Sequence, residues 1–214
     1  MSAEIKKKVH QLTDQLNRYN HLYYQEDKSE VSDFEFDQLL KELEALEKEY
    51  PEYMRPDSPT HRVGGTITKN FDTVTHKYPM LSLGNTYSKD ELVDFDKRVE
   101  KGLGSTDYEY FCELKFDGVA ISLRYEDGLL VQAVTRGDGV KGDDVTANVK
   151  TIKTIPLKIQ GYTPREFEVR GEVFMPKEVF SALNQARESV GEALLANPRN
   201  TASGTLKMQD SGVV

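Results

Sequence analysis

A chain of 214 residues, 37% hydrophobic and 30% charged, is long enough for one medium domain or for a small domain joined to part of a larger one, and two units are expected. Its formal net charge of −8 argues against a strong phosphate-backbone binder, because such binding neutralises phosphates with Lys and Arg. With Cys112 as the single cysteine, neither a disulfide framework nor a thiolate zinc site fits within these residues.

The opening residues, Met1 to Lys8, lack an apolar core of signal-peptide length, and no run of about 18 apolar residues occurs, so a cytoplasmic protein without a membrane partner is expected. Ile5, Val9, Leu12, Leu16, Tyr19 and Tyr23 follow spacings of four and three, the stripe of an amphipathic helix. A second helix opens on Ser32 and Glu35, a Ser-x-x-Glu capping box, and Phe36, Leu39, Leu40, Leu43 and Leu46 supply its apolar face. The two should pair as a hairpin, which buries too little surface to be stable without the rest of the chain or a ligand. Pro51, Pro56 and Pro59, then Gly64-Gly65, break the pattern, placing a linker between a helical unit at 1–65 and a second unit at 66–214. Tyr23 and Tyr24 end the first helix while Asp33, Phe36 and Asp37 open the second, so aromatic faces and carboxylates gather at one corner. Such aromatics commonly fill core, and a first-turn aspartate commonly complements the helix dipole. The functional alternative is a site for a flat cation such as a pyridinium, which an aromatic face attracts by about 0.5–2 kcal/mol.

In the second unit, Pro79 to Asn85 reads as a buried strand or loop with a turn, where Ser82 and Leu83 line a base pocket or fill core. Ser88-Lys89-Asp90-Glu91 opens a helix with Leu92, Phe95 and Val99 on its apolar face. Cys112 to Gly118 reads as a strand entering a turn, with Glu113, Lys115 and Asp117 on one face and Cys112, Leu114 and Phe116 on the other. Taken alone, that string is best explained as a surface ion pair; the sharper reading is a nucleophilic lysine, with Glu113 reading the substrate and Asp117 orienting a ribose or the amine. Val119, Ile121, Leu123 and Tyr125 alternate with Ala120, Ser122 and Arg124 in a second strand, Asp127-Gly128 is a hairpin turn, and Leu130, Gln132, Val134 and Arg136 continue a third. An antiparallel β core follows. Thr135 to Gly139 and Lys141 to Asp144 form a glycine-rich stretch suited either to close approach of a ligand or to a mobile loop, without the glycine spacing of a Rossmann turn. A helix around Val145–Ile152, a short strand near Ile155–Ile159, a strand over Phe167–Phe174 with Glu168, Arg170 and Glu172 on one face, and a helix from Pro176 to about Ser189 come next. Asn197-Pro198-Arg199-Asn200 leads into the closing segment.

Eight strings in this order, namely His21 to Tyr24, Asp33 to Asp37, Asp57 to Gly64, Met80 to Leu83, Cys112 to Gly118, Thr135 to Gly139, Val169 to Val173 and Asn197 to Asn200, resemble the bacterial NAD-dependent DNA ligases over nearly the whole chain. The helical hairpin separates that family from ATP-dependent ligases and capping enzymes, which share only the lysine motif and scattered strings. The resemblance implies an α+β fold: a helical nicotinamide-mononucleotide-binding domain, then a partial nucleotidyltransferase (ATP-grasp-like ligase) domain with antiparallel sheets and flanking helices. It implies sealing of nicks in duplex DNA, 5′-phosphate to 3′-hydroxyl, in replication and repair, by a monomer that uses NAD as AMP donor together with Mg²⁺.

Carried over by position, Lys115 is the adenylated nucleophile with Asp117 beside it. Ser82, Leu83 and Glu113 contact the adenine end, and Arg136 and Glu172 hold ribose and neighbouring groups. Tyr23, Tyr24, Asp33, Phe34, Glu35, Phe36 and Asp37 hold the nicotinamide half, and Arg199 handles nicked DNA or the nucleotide. Phe36 stands where many relatives have tyrosine and Tyr24 where some have histidine, which leaves stacking in place of polar contacts; Lys207 replaces an arginine and loses its bidentate fork. A later lysine motif, an oligonucleotide-binding barrel, a four-cysteine zinc finger, helix-hairpin-helix repeats and a BRCT domain do not follow, so a fragment is expected, with Zn²⁺ confined to the missing part. For attack on the α-phosphorus of NAD the amine must be neutral, which for an ordinary lysine costs about 4.6 kcal/mol at pH 7. Neighbouring carboxylates favour the ammonium, so Mg²⁺ and the pyridinium of the leaving group are expected to offset them. The rival readings are a non-catalytic nucleotide-binding module of the same fold and a sister enzyme using ATP.

Overall fold

The computed structural model describes residues 2–26, 30–62, 70–161 and 164–213. Helix α1 runs Ser2–Glu26 and α2 runs Asp33–Glu49. The expected capping box is present: the Glu35 N–H donates to Ser32 Oγ at 3.3 Å, and the Glu35 carboxylate accepts from the Ser32 N–H at 3.1 Å. Two donors at the start of α2 are thereby satisfied. Val9, Leu12 and Leu16 of α1 are buried with Leu43 of α2, and Phe36, Leu39, Leu40, Leu46 and Tyr53 pack against them. The hairpin is therefore formed by the predicted stripes. Burial fades toward the end of α1, where Tyr23 is 54% exposed. Two 3₁₀ turns, Pro51–Tyr53 and Pro59–Arg62, carry the chain away from α2. The expected linker at Gly64-Gly65, and with it the boundary between residues 65 and 66, lies outside the described residues.

Beyond it come β1 (Thr73–Thr75), α3 (Lys89–Leu103), β2 (Val119–Glu126), β3 (Leu129–Thr135), β4 (Lys141–Asp143), α4 (Thr146–Thr151), β5 (Glu166–Val173), α5 (Lys177–Ser189) and α6 (Pro198–Leu206). Strands β3, β2 and β5 form an antiparallel sheet with β2 in the middle, and β1 pairs with β4. Asp127 and Gly128, at φ 48° and 79°, make the two-residue primed turn that matches the twist of a tight hairpin. Ile121, Leu123 and Tyr125 alternate inward and are buried with Leu130, Ala133, Val145, Val149, Leu157 and Leu206. Tyr125 stacks on Phe167 at 5.3 Å and satisfies its hydroxyl on the Pro156 carbonyl at 2.9 Å. Among the described residues no helix is long and apolar enough to cross a membrane.

The structure corrects three expectations. Cys112 to Phe116 is not a strand but an irregular, exposed run, with Phe111 90% and Leu114 84% exposed. Alternation alone does not make a strand, which needs a ladder partner, and both edges of β2 are taken by β3 and β5. Ile155–Ile159 makes a single bridge, Lys158 to Leu129, in place of a short strand. Pro79 to Asn85 takes the loop form of the two expected but is not buried as a whole: Met80 is buried while Leu81 and Leu83 are exposed. Helix α3 forms as expected on its Ser88 cap, yet none of its residues is buried.

A knot of polar groups joins the helical hairpin to the β unit. Asp57, 3% exposed, accepts both Nε and Nη2 of Arg55 at 2.9 and 2.7 Å, and the third Arg55 nitrogen reaches Asp14 of α1 at 2.6 Å. Asn17 of α1 donates to the Asp57 carbonyl at 2.9 Å, and Lys158 of the β unit stands 3.7 Å from the Asp57 carboxylate. Thr60 donates to the buried Glu47 of α2 at 2.5 Å. The Pro59–Arg62 turn lies against α1, α2 and α4. Burial pushes the Asp57 carboxyl up, but the Arg55 hydrogen bonds and the charges of Arg55 and Lys158 outweigh it and hold the group below the usual carboxylate range.

Two outcomes follow. Leu43→Ala should cost about 2–5 kcal/mol in urea unfolding of the chain, since Leu43 is fully buried between the helices; a loss typical of a surface site would contradict the hairpin packing. A depressed folded-state value means that the Asp57 contribution is complete above its unfolded value of about 3.9 and drains away as pH falls through the folded one. The stability gap between wild type and Asp57→Asn should therefore be flat from neutral pH down to about pH 5 and close below about pH 4. A gap that persists into acid would refute that assignment.

Candidate nucleotide-binding site

The polar face of the β3-β2-β5 sheet is built by register. Ala120 of β2 pairs with Glu172 of β5, and its carbonyl accepts the Arg136 N–H at 3.1 Å. Directly opposed residues of antiparallel strands share a face, so Arg136, Ala120 and Glu172 form one row, on the side away from Ile121, Leu123 and Tyr125. Just beyond β3, Asp138 accepts the backbone N–H groups of Val140 and Lys141 at 2.8 and 2.7 Å, which hold its carboxyl below the usual carboxylate range, Lys141 first. Gly137 and Gly139 sit at φ 57° and 93°, and a Cβ at Gly137 would be driven into the Lys141 carbonyl. The glycine-rich stretch is thus a tight turn. The Gly139 carbonyl accepts the Met80 N–H at 2.8 Å, and Arg170 grips the Tyr78 and Pro79 carbonyls at 2.6 and 2.9 Å. The loop so pinned brings Ser82 Oγ within 3.1 Å of Arg136 Nη1.

Around the start of β2 three further contacts converge. The Gly118 N–H donates to Glu172 Oε1 at 3.0 Å, and a Cβ at Gly118 would run into the Val173 carbonyl, which explains glycine there. Phe116 stacks on Phe174 at 4.8 Å. Arg199, in the first turn of α6 behind the Asn197 cap, reaches Asp117 Oδ1 at 3.3 Å. Ser82, Arg136 and Glu172 are thereby gathered on the polar face, and Asp117 and Arg199 pair beside Gly118 at the start of β2. Lys115 and Glu113 lie in the exposed run just before Gly118, with no hydrogen bond or ion pair to a described residue. Leu83 is 77% exposed.

On the hairpin, Phe34 is 72% exposed, Asp37 is exposed, and Phe36 is half-buried against the helical core. Glu35 is committed to the capping box, and the Ser32 hydroxyl, then the Ser32 N–H, holds its carboxyl below the usual range. The side chains of Tyr24 and Asp33 lie outside the described residues. Sequence reasoning missed Arg170 as the anchor of the Tyr78–Met80 loop, because alternating charge on a strand reads as a solvated face. It also missed Asp96 of α3, whose carboxylate accepts the hydroxyls of Tyr108 and Tyr110, each at 2.8 Å, and so tethers the run leading to Lys115. The spacing of the two tyrosines was the available signal. Lys207 engages Asp143 at 2.7 Å.

Residues 68–214 match the family model described as the NAD-dependent DNA ligase adenylation domain, and residues 2–64 match the DNA ligase-like, N-terminal NAD+-binding domain. The chain belongs to the NAD-dependent DNA ligases. Its similar proteins include DNA ligases of Cytophaga hutchinsonii, 62% identical over 99% of this chain and 32% of the relative, and of Bacteroides fragilis, 57% identical over 98% and 32%. That of Flavobacterium johnsoniae is 51% identical over 98% and 31%. The chain spans about a third of the length of these curated relatives. The expected α+β arrangement of an NAD-dependent ligase, helices first and antiparallel sheets after, is the one observed. Among the described residues no three His, Cys, Asp or Glu side chains group to hold a metal ion.

Gly118→Ala should destabilise this ligase chain by about 1–3 kcal/mol in urea unfolding, because the added methyl must push β2 from the Val173 carbonyl. An unchanged midpoint would show that the approach is not tight.

Proposed function

We propose that this chain is the part that recognises NAD and carries the nucleophilic lysine of an enzyme that seals nicks in duplex DNA, joining 5′-phosphate to 3′-hydroxyl through a lysine-AMP intermediate in replication and repair, and that on its own it is incomplete for self-adenylation. The observation that carries the reading is the Arg136–Ala120–Glu172 row, with Ser82 hydrogen-bonded into it and Gly118 fixed to Glu172 three residues after Lys115. We assign residues 1–65 to nicotinamide mononucleotide and 66–214 to adenylation, in a cytoplasmic, monomeric protein whose partners are NAD and nicked DNA.

In this reading the neutral Lys115 amine, its proton released to solvent, attacks the α-phosphorus of NAD. A P–N bond forms, the P–O bond to nicotinamide mononucleotide breaks, and AMP remains on Lys115. Ser82, Leu83 and Glu113 face the adenine end, and Arg136 and Glu172 hold the ribose. Arg199 pairs with Asp117, two residues beyond Lys115 in the chain, and handles nicked DNA or the nucleotide. Tyr23, Tyr24, Asp33, Phe34, Phe36 and Asp37 hold the departing half, by stacking and by charge complementarity to the pyridinium. Glu35 contributes there by starting α2. Holding both halves of NAD in line with the amine supplies the orientation on which such a displacement depends.

Mass spectrometry of the full-length protein after incubation with NAD tests the reading. One added AMP, lost in Lys115→Ala, is the expected result; no adduct in the wild type would favour a non-catalytic nucleotide-binding module instead. Removing residues 1–65 should abolish adduct formation from NAD while sparing transfer of preformed enzyme-AMP to a nick. Equal loss of both would refute the role given to the hairpin.

A further inference from the structure

The string from Asp57 to Thr60 has no part in the chemistry above, yet it is among the most buried polar stretches of the chain: Asp57 is 3% and Ser58 0% exposed. A charged side chain so enclosed persists only when paired, and Asp57 is paired on two sides. Arg55 forks onto it and continues to Asp14 of α1. Lys158 approaches from the β unit, on a segment fixed to the β2–β3 hairpin by the Leu130 N–H to the Leu157 carbonyl at 2.9 Å and the Ile159 N–H to the Gly128 carbonyl at 2.8 Å. A cleft of about 400 Å³ opens beside this contact, lined by α1 residues on one wall and by Lys153 to Gly161 on the other. Across that cleft the hairpin meets the β unit through the Asp57–Lys158 ion pair.

We propose that Asp57 and Lys158 are positioning residues that set the angle of the helical hairpin against the β unit, and so the place of its aromatic corner relative to Lys115. The proposal rests on the ligase reading above and adds a determinant of the NAD step that touches neither NAD nor the reacting atoms. The lever is visible in α1. Asn17, which bonds the Asp57 carbonyl, lies six residues before Tyr23, about 9 Å along the helix, so a tilt of about 10° moves the Tyr23 end by about 1.5 Å. Misplacement of about 1 Å can cost a reaction up to about a hundredfold. Because Lys158 is about half exposed, changing it disturbs the contact without emptying a core site.

The test uses Lys158→Glu, which turns the attraction to Asp57 into repulsion, with Lys158→Arg as the conservative control. In the full-length protein, kcat/KM for adduct formation from NAD should fall about tenfold in Lys158→Glu and return close to wild type in Lys158→Arg. Sealing of a nick that already carries AMP on its 5′-phosphate, which needs no NAD, should stay within about twofold of wild type. Independently of activity, the 214-residue chain carrying spin labels at Gln11→Cys and Val131→Cys, with Cys112→Ser, should show a broader distance distribution in Lys158→Glu than in wild type. Equal loss of both reactions, no loss in Lys158→Glu, or an unchanged distance distribution would each overturn the proposal. If the wild-type protein forms no adduct, the ligase reading fails, and the spin-label distances still decide the positioning role.

Discussion

Strand β2 is hydrogen-bonded along both edges, to β3 on one side and β5 on the other, and the rest of the second unit follows from that double pairing. It commits Ile121, Leu123 and Tyr125 to one face, where they bury against α4, the Leu157 segment and the end of α6. The opposite face is then left to the polar partners of the same strands. Arg136 and Glu172 fall in one row there, because Glu172 pairs with Ala120 and the Arg136 N–H bonds the Ala120 carbonyl. A one-residue slip on either edge would send its charged side chain to the core face.

Charge is distributed in a way that net composition conceals. The chain is acidic overall, yet four of its arginines fix backbone, a hydroxyl or a carboxylate: Arg170 on two loop carbonyls, Arg136 on the Ser82 hydroxyl, Arg199 on Asp117, Arg55 on Asp57. Arg170 and Arg55 use the planar, multi-donor guanidinium in a way that an ammonium could not reproduce as well. The loops around the polar face are thus fixed by cations from the sheet rather than by packing of their own. That is consistent with the exposure of Leu81 and Leu83 beside the well-held Met80.

What could be read from the sequence was what local physics controls. The two helices, the Ser32 capping box, the Asp127-Gly128 turn and the alternation of β2 were legible because each is decided within a few residues by dihedral preference or by the period of burial. Cys112 to Phe116 misled for the same reason: its alternation is that of a strand, but a ladder partner is a non-local fact that periodicity cannot supply. In the candidate site, Ser82, Arg136, Asp117, Glu172 and Arg199 were all named from strings, whereas their contacts were not foreseeable. The sequence separations across them, such as 54 residues between Arg136 and Ser82 and 82 between Arg199 and Asp117, are closed only by tertiary structure. The anchoring roles of Arg170 and Asp96 were not foreseen, because their partners, loop carbonyls and tyrosine hydroxyls, are distant in sequence.

The two ladders of β2 differ in how they are closed. Its pairing with β3 spans a two-residue turn, while its pairing with β5 closes at Glu126 and Glu166, across the whole stretch from Asp127 to Arg165. Loop-closure entropy therefore opposes the second ladder more than the first, by roughly 0.6 kcal/mol for every doubling of the enclosed length. An excursion that peels β5 away can leave the β2–β3 hairpin intact and still erase the Arg136–Ala120–Glu172 row. Local opening of that one edge would disperse the proposed nucleotide-binding row well before the molecule as a whole denatures.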